Sequence, residues 1–150
     1  MVTAVTLHRA KAFERNDFAR IAIKQLLKQA TQHRFELPAF IYMPDHAHVV
    51  ATDIATTSDL RVFISAWKQA TGFDWSQFAG GRLWQEGYWD RHLRAGGSVV
   101  EMIDYVVQNP VRAGLVDDAA RYPWTGSTMY TMDEMISMIR FGGTKVPPSR

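Results

Sequence analysis

The 150-residue chain contains no cysteine. Disulfides and thiolate metal sites are therefore excluded, and an intracellular, cytoplasmic setting is the expectation. No apolar run approaches the ~20 residues that a membrane span requires, so no membrane partner is expected. The first residues do not read as a signal peptide, so none is expected: the short run Val2 to Leu7 has no leading charge and no small-residue cleavage site. There is no internal repeat and no interior linker. Length and an apolar fraction of 47% fit one domain with an ordinary core, taken as residues 1–141, with 142–150 as a flexible tail. Net charge is small, +2, but uneven: residues 1–34 hold seven Lys/Arg against two acids, and residues 35–150 hold ten against thirteen. A basic first quarter suits an anionic partner such as nucleic acid. On charge alone, a solvated helix face is the plainer reading.

What the chain does have is hydrophobic periodicity. Residues 2–7 alternate and are β-branched, which predicts a first strand. Asn16 is a plausible cap for a helix running to Gln32 or His33, with Ile23, Leu26, Leu27 and Ala30 along its core stripe. Residues 35–42 predict a second strand whose first half Pro38 confines to an edge or bulge. Met43-Pro44-Asp45 forms a turn into a third, antiparallel strand over 46–52. Thr57 or Ser58 would cap a helix over 59–71, ended by Gly72 and followed by a turn region over 73–81. The aromatic and basic stretch 83–94 reads as strand-turn-strand, a composition that also suits stacked bases and phosphates of single-stranded nucleic acid. Ser98-Val99-Val100-Glu101 is a capping box, and its helix is expected to stop near Gln108 or Asn109 because Pro110 disfavours helix in the residue before it. Residues 109–114 and 122–124 read as turns, and residues 133–140 as a short last helix. Strands and helices in this order suggest an α+β sandwich with antiparallel pairing.

The chemistry concentrates in two places. His46-Ala47-His48 lies in an apolar run, and residues i and i+2 of a strand share a face, so two imidazoles stand side by side. In the capping-box helix Tyr105 and Asn109 are four apart and share a face, with Asp104 and Gln108 as a neighbouring pair. If that helix lies beside the histidine strand, the site gathers two imidazoles, an amide and a phenol. A cation beside a phenol stabilises phenolate and polarises a phosphoryl oxygen. Attack on a DNA phosphodiester would displace the 3′-oxygen and leave a 5′-phosphotyrosine, which conserves the bond energy without a nucleotide cofactor. Each feature alone has a blander reading. A lone HxH is more often structural than ligating, and a lone tyrosine more often belongs to the core. His8, His33 and His92, and Tyr42, Tyr88, Tyr122 and Tyr130, are read in that structural way.

His46-Ala47-His48 after Met43-Pro44-Asp45 resembles the histidine-hydrophobic-histidine motif of the single-tyrosine HUH transposases. Residues 105–116, from Tyr105 through Asn109-Pro110-Val111-Arg112-Ala113-Gly114, resemble the tyrosine helix and turn of the REP-associated tyrosine transposases. Leu83-Trp84-Gln85, Asp90-Arg91 and Tyr122-Pro123-Trp124 are similar to that subgroup in order and spacing. The resemblance implies a ferredoxin-like antiparallel sheet with helices packed on one face. It implies a metal-dependent enzyme that cleaves and rejoins single-stranded DNA near hairpins or palindromic repeats through a covalent 5′-phosphotyrosine. Tyr105 would be the nucleophile, with His46, His48 and Asn109 as ligands of Mg²⁺ or Mn²⁺. Lys68, Arg91 and Arg112 would be candidates for DNA contact. The protein would act in the cytoplasm, at the nucleoid, as a monomer or homodimer. The rival expectation is a non-catalytic hairpin-binding or regulatory protein on the same fold.

Overall fold

The computed structural model describes residues 1–92 and 97–142. The end of the aromatic stretch (93–96) and the expected tail from 143 onward lie outside the described residues. The elements are β1 (Val2–Val5), α1 (Asn16–Gln32), β2 (Phe35–Met43), β3 (His46–Asp53), α2 (Leu60–Phe78), β4 (Trp89–Asp90), α3 (Val99–Arg112), β5 (Thr125–Gly126) and α4 (Met132–Arg140). All strand pairs are antiparallel, in the order β4-β1-β3-β2-β5. The first six elements form a β-α-β-β-α-β unit whose strands lie β4-β1-β3-β2, the ferredoxin-like arrangement. Strand β5 extends the sheet at the free edge of β2.

The alternation of side chains along β2 and β3 builds two cores. On one face Phe40, Tyr42, Ala47 and Val49 meet Phe18, Ala22 and Leu26 of α1 and Phe63, Ile64 and Trp67 of α2. The Tyr42 hydroxyl ties this layer together: it donates to the Ala22 carbonyl at 3.1 Å and accepts from Trp67 Nε1 at 3.0 Å. On the other face Ala39, Ile41, Met43 and Val50 meet Ile103, Val106 and Val107 of α3 and Met135 and Met138 of α4. Helices on a single face therefore describe only the β-α-β-β-α-β unit. The opposite face is not left free, because its own apolar residues need cover, and the amphipathic α3 supplies it. That placement brings the tyrosine helix onto the histidine face.

Several boundaries differ from the sequence expectation. Helix α2 passes through Gly72 to Phe78, because Trp75 and Phe78 continue the stripe that packs on the core. Its cap is Asp59, whose carboxylate accepts from the backbone N–H groups of Arg61 and Val62, rather than Thr57 or Ser58. Helix α3 runs through Pro110 to Arg112 and ends in a Schellman turn. In that turn Leu115 N–H donates to the Pro110 carbonyl (2.9 Å) and Gly114 N–H to that of Val111 (3.0 Å), with Gly114 at φ +74°. In the stretch 83–92 only Trp89–Asp90 forms a strand, supplemented by a single bridge between Thr6 and Trp84. The bulge foreseen at Pro38 is present as a register shift between Glu36 and Ala39. Among the described residues, no helix is long and apolar enough to cross a membrane.

Candidate active site

His46 and His48 sit on β3, an interior strand flanked by β1 and β2. Their rings are 4.8 Å apart, centroid to centroid, and nearly perpendicular. Each ring is anchored through its Nδ1. His48 Nδ1 lies 2.8 Å from the Thr3 hydroxyl, its cross-strand partner on β1. His46 Nδ1 lies 2.7 Å from a carboxylate oxygen of Asp45. With Nδ1 engaged in both rings, Nε2 is the nitrogen left for a ligand, and the ring orientation is fixed from behind. Burial, helped by the charges of His46 and Arg112, pushes the His48 pKa down to about 3. His48, only 5% exposed, is thus a neutral imidazole with a lone pair to offer at physiological pH. Burial pushes the Asp45 carboxyl up, but the hydrogen bond and charge of His46, together with Arg9, outweigh it and hold the pKa low. Arg9 reaches Asp45 at 3.4 Å, so an Arg9–Asp45–His46 chain backs the first imidazole.

Tyr105 projects from α3 toward this pair. Its ring centroid is 5.4 Å from that of His48, edge to face, and the residue is 39% exposed. The Arg112 guanidinium lies over the phenol ring, 4.7 Å from its centroid, and donates to the Tyr105 carbonyl. The phenol thus has an imidazole and a guanidinium as neighbours, and it is open to solvent. Asn109, one turn further along α3, lines the same open cavity of about 340 Å³ as His46, His48, Tyr105, Arg9 and Trp89. Among the described residues, no three His, Cys, Asp or Glu side chains gather as a metal site. The available donor set is two imidazoles and one amide. Such a set could hold a divalent cation, with positions left over for other oxygen ligands.

The other residues singled out by sequence fall in different places. Arg112 braces Tyr105, as described. Arg91 lines an adjoining cavity of about 250 Å³ to which Tyr105 also contributes. Lys68 is not brought to the site. It lies on α2, beside a cavity of about 440 Å³ near the loop 82–88, where its ammonium donates to the carbonyls of Gln85 (3.0 Å) and Gly87. Burial, with Arg82 adding to it, lowers its pKa. Four contributors went unassigned in the sequence: Thr3, Arg9, Asp45 and Trp89. Thr3 is visible only through the β1–β3 register, whereas Asp45, next to His46, was within reach of a reading that asked what orients each imidazole.

No protein-family model matches the chain. A curated relative, the REP-associated tyrosine transposase of Escherichia coli (strain K12), is 25% identical over 104 residues. That match covers 67% of this chain and 59% of the relative, so the chain spans well under two thirds of the relative's length. A solved structure of the REP-associated tyrosine transposase bound to a REP hairpin superposes with a TM-score of 0.70 at 20% identity, over 83% of this chain and 73% of that one. In sequence and in fold the chain is similar to the REP-associated tyrosine transposases, the same group that its histidine and tyrosine motifs resemble.

Proposed function

We propose that this protein is a transposase-like enzyme that binds hairpin DNA and cleaves an adjoining single strand through Tyr105. The observation that carries the proposal is the phenol ring 5.4 Å from one imidazole of a strand-borne pair, facing an open cavity. In the proposed step the Tyr105 oxygen attacks a backbone phosphorus and loses its proton to solvent. The bond from phosphorus to the 3′-oxygen breaks, and the departing oxygen takes the electron pair and a proton. The product is a 5′-phosphotyrosine, and attack by a 3′-hydroxyl on it reverses the chemistry and rejoins a strand. His48 contributes a neutral, oriented imidazole and His46 a second imidazole oriented by Asp45, Asn109 an amide oxygen, and Arg112 holds the phenol ring in place. Bound by His46, His48 and Asn109, Mg²⁺ or Mn²⁺ would supply Lewis acidity at a phosphoryl oxygen. Imidazole softness by itself would favour zinc, but the phosphate oxygens favour the harder ions. Tyr105 meets His48 of its own chain, and the proposed acting form is a monomer or homodimer. The cytoplasm, at the nucleoid, is the proposed setting.

The test is denaturing electrophoresis of the protein with labelled hairpin oligonucleotides carrying single-stranded flanks, in Mn²⁺. A covalent adduct is expected with the wild type and lost in Tyr105→Phe, His46→Ala, His48→Ala and excess chelator. Adduct persisting in Tyr105→Phe removes the nucleophile. Tight hairpin binding with no adduct on any flank sequence favours the non-catalytic binding protein.

A further inference from the structure

Among the described residues, Trp89 is part of neither apolar core. Trp67 and Trp84 are buried and hydrogen-bonded, and Trp75 and Trp124 pack against the core. Trp89, by contrast, is 63% exposed on the two-residue edge strand β4. Among the described residues no ring and no cation stacks on its indole. Its direction is set by register: Trp89 pairs with Thr3, and Thr3 pairs with His48, so the three side chains project from the same face of the sheet. The indole accordingly stands at the rim of the cavity that holds Tyr105 and both histidines.

Two residues further on, just past β4, Arg91 N–H donates to the Met1 carbonyl at 2.8 Å. Arg91 lines the adjoining cavity, and Tyr105 lies between the two, lining both. The sheet edge thus presents an aromatic face and then a guanidinium on either side of the phenol. A single strand of DNA alternates in the same way, with a π-face and a phosphate in every nucleotide. A duplex keeps its bases stacked on each other and offers no free π-face to the indole, so this edge suits unpaired nucleotides.

We propose that Trp89 is the stacking platform for the unpaired base next to the phosphate that Tyr105 faces, with Arg91 pairing a neighbouring phosphate. The proposal rests on the reading of Tyr105 as facing DNA, and adds to it which element of the substrate is held and by what. Recognition at this position is by stacking, so it tolerates any base but requires that a base be there.

The experiment measures Kd by fluorescence anisotropy, without divalent cation so that no chemistry occurs. The probes are a DNA hairpin with a single-stranded deoxythymidine flank and the same hairpin with an abasic flank of equal length. The wild type should prefer the thymidine flank by about tenfold. Trp89→Ala should bring the two affinities within about twofold, and Trp89→Phe should restore part of the preference. Arg91→Ala should weaken both probes alike and reduce the salt slope by about one. Equal affinity of the wild type for both flanks, or an undiminished preference in Trp89→Ala, overturns the proposal. So does failure to bind either probe. Adduct formation in Mn²⁺ is scored separately. Flank discrimination lost on Trp89→Ala in a protein that forms no adduct sustains the stacking platform and removes the nucleophile. Adduct formation without flank discrimination does the reverse.

Discussion

Thr3→Val tests whether the second imidazole is held ready or merely present. Valine replaces the hydroxyl with a methyl of similar volume, so the strand and its pairing to His48 keep their shape. What is lost is the 2.8 Å hydrogen bond at His48 Nδ1. A neutral His48 that offers Nε2 to a ligand carries its proton on Nδ1 and donates it to Thr3 Oγ1. Because His48 is 5% exposed, water cannot readily replace that acceptor. An orphaned buried donor costs about 1–3 kcal/mol. In a domain of this size that lowers Tm by roughly 3–10 °C. The ring is also freed to turn, and loss of such a supporting hydrogen bond typically weakens a metal site by about 10- to 100-fold. Two assays follow: thermal melting in chelator, and the rate of adduct formation across a Mn²⁺ titration. Thr3→Val should melt earlier and need about tenfold or more Mn²⁺ for half-maximal rate, whereas Thr3→Ser should fall within about threefold of wild type. Thr3→Val with unchanged melting and an unchanged Mn²⁺ requirement would refute the reasoning, because the hydrogen bond would then be holding nothing.

Three further substitutions test other parts of the structure. Arg112→Ala removes the guanidinium over the Tyr105 ring. It should slow adduct formation by about three- to thirtyfold while hairpin affinity, measured without divalent cation, falls less. Tyr42→Phe leaves Trp67 Nε1 without its acceptor in a fully buried place and removes the hydroxyl that the Ala22 carbonyl accepts from. Chemical denaturation should show a loss of about 1–3 kcal/mol. Gly126→Ala would set a Cβ 2.5 Å from Cζ of the buried Phe40, and overpacking there should cost about 1–3 kcal/mol in the same assay.

The geometry of the candidate site was legible where a short-range rule determined it. Period-two alternation placed His46 and His48 on one face, and four-residue spacing placed Tyr105 and Asn109 together on α3. That α3 covers the histidine face is a tertiary fact that no local pattern carries. The glycine and proline signals misled in a consistent way. Gly72 reads as a helix stop, but Trp75 and Phe78 beyond it bury enough apolar surface against Phe18 to carry α2 onward. Pro110 reads as the end of α3, yet the stop signal with backbone partners is Gly114, whose left-handed φ closes the Schellman turn. The extra turn matters to the site, since it carries Arg112 back over the Tyr105 ring. Lys68, which the resemblance offers as a DNA contact, has its ammonium engaged with the carbonyls of Gln85 and Gly87, a partnership set by the loop 82–88 that no local pattern announces. Thr3 and Trp89 needed the register of β1 against β3 and β4, which long-range pairing alone defines.

The most direct test of the proposed chemistry is to find where the DNA becomes attached. The adduct formed with a labelled hairpin in Mn²⁺ can be digested with nuclease and protease and the modified peptide fragmented by mass spectrometry. A phosphate-linked nucleotide on the peptide oxygen of Tyr105 is the expected product. A nucleotide on any other residue, or no modified peptide from a preparation that binds the hairpin, would show that the phenol beside the two imidazoles is not the nucleophile.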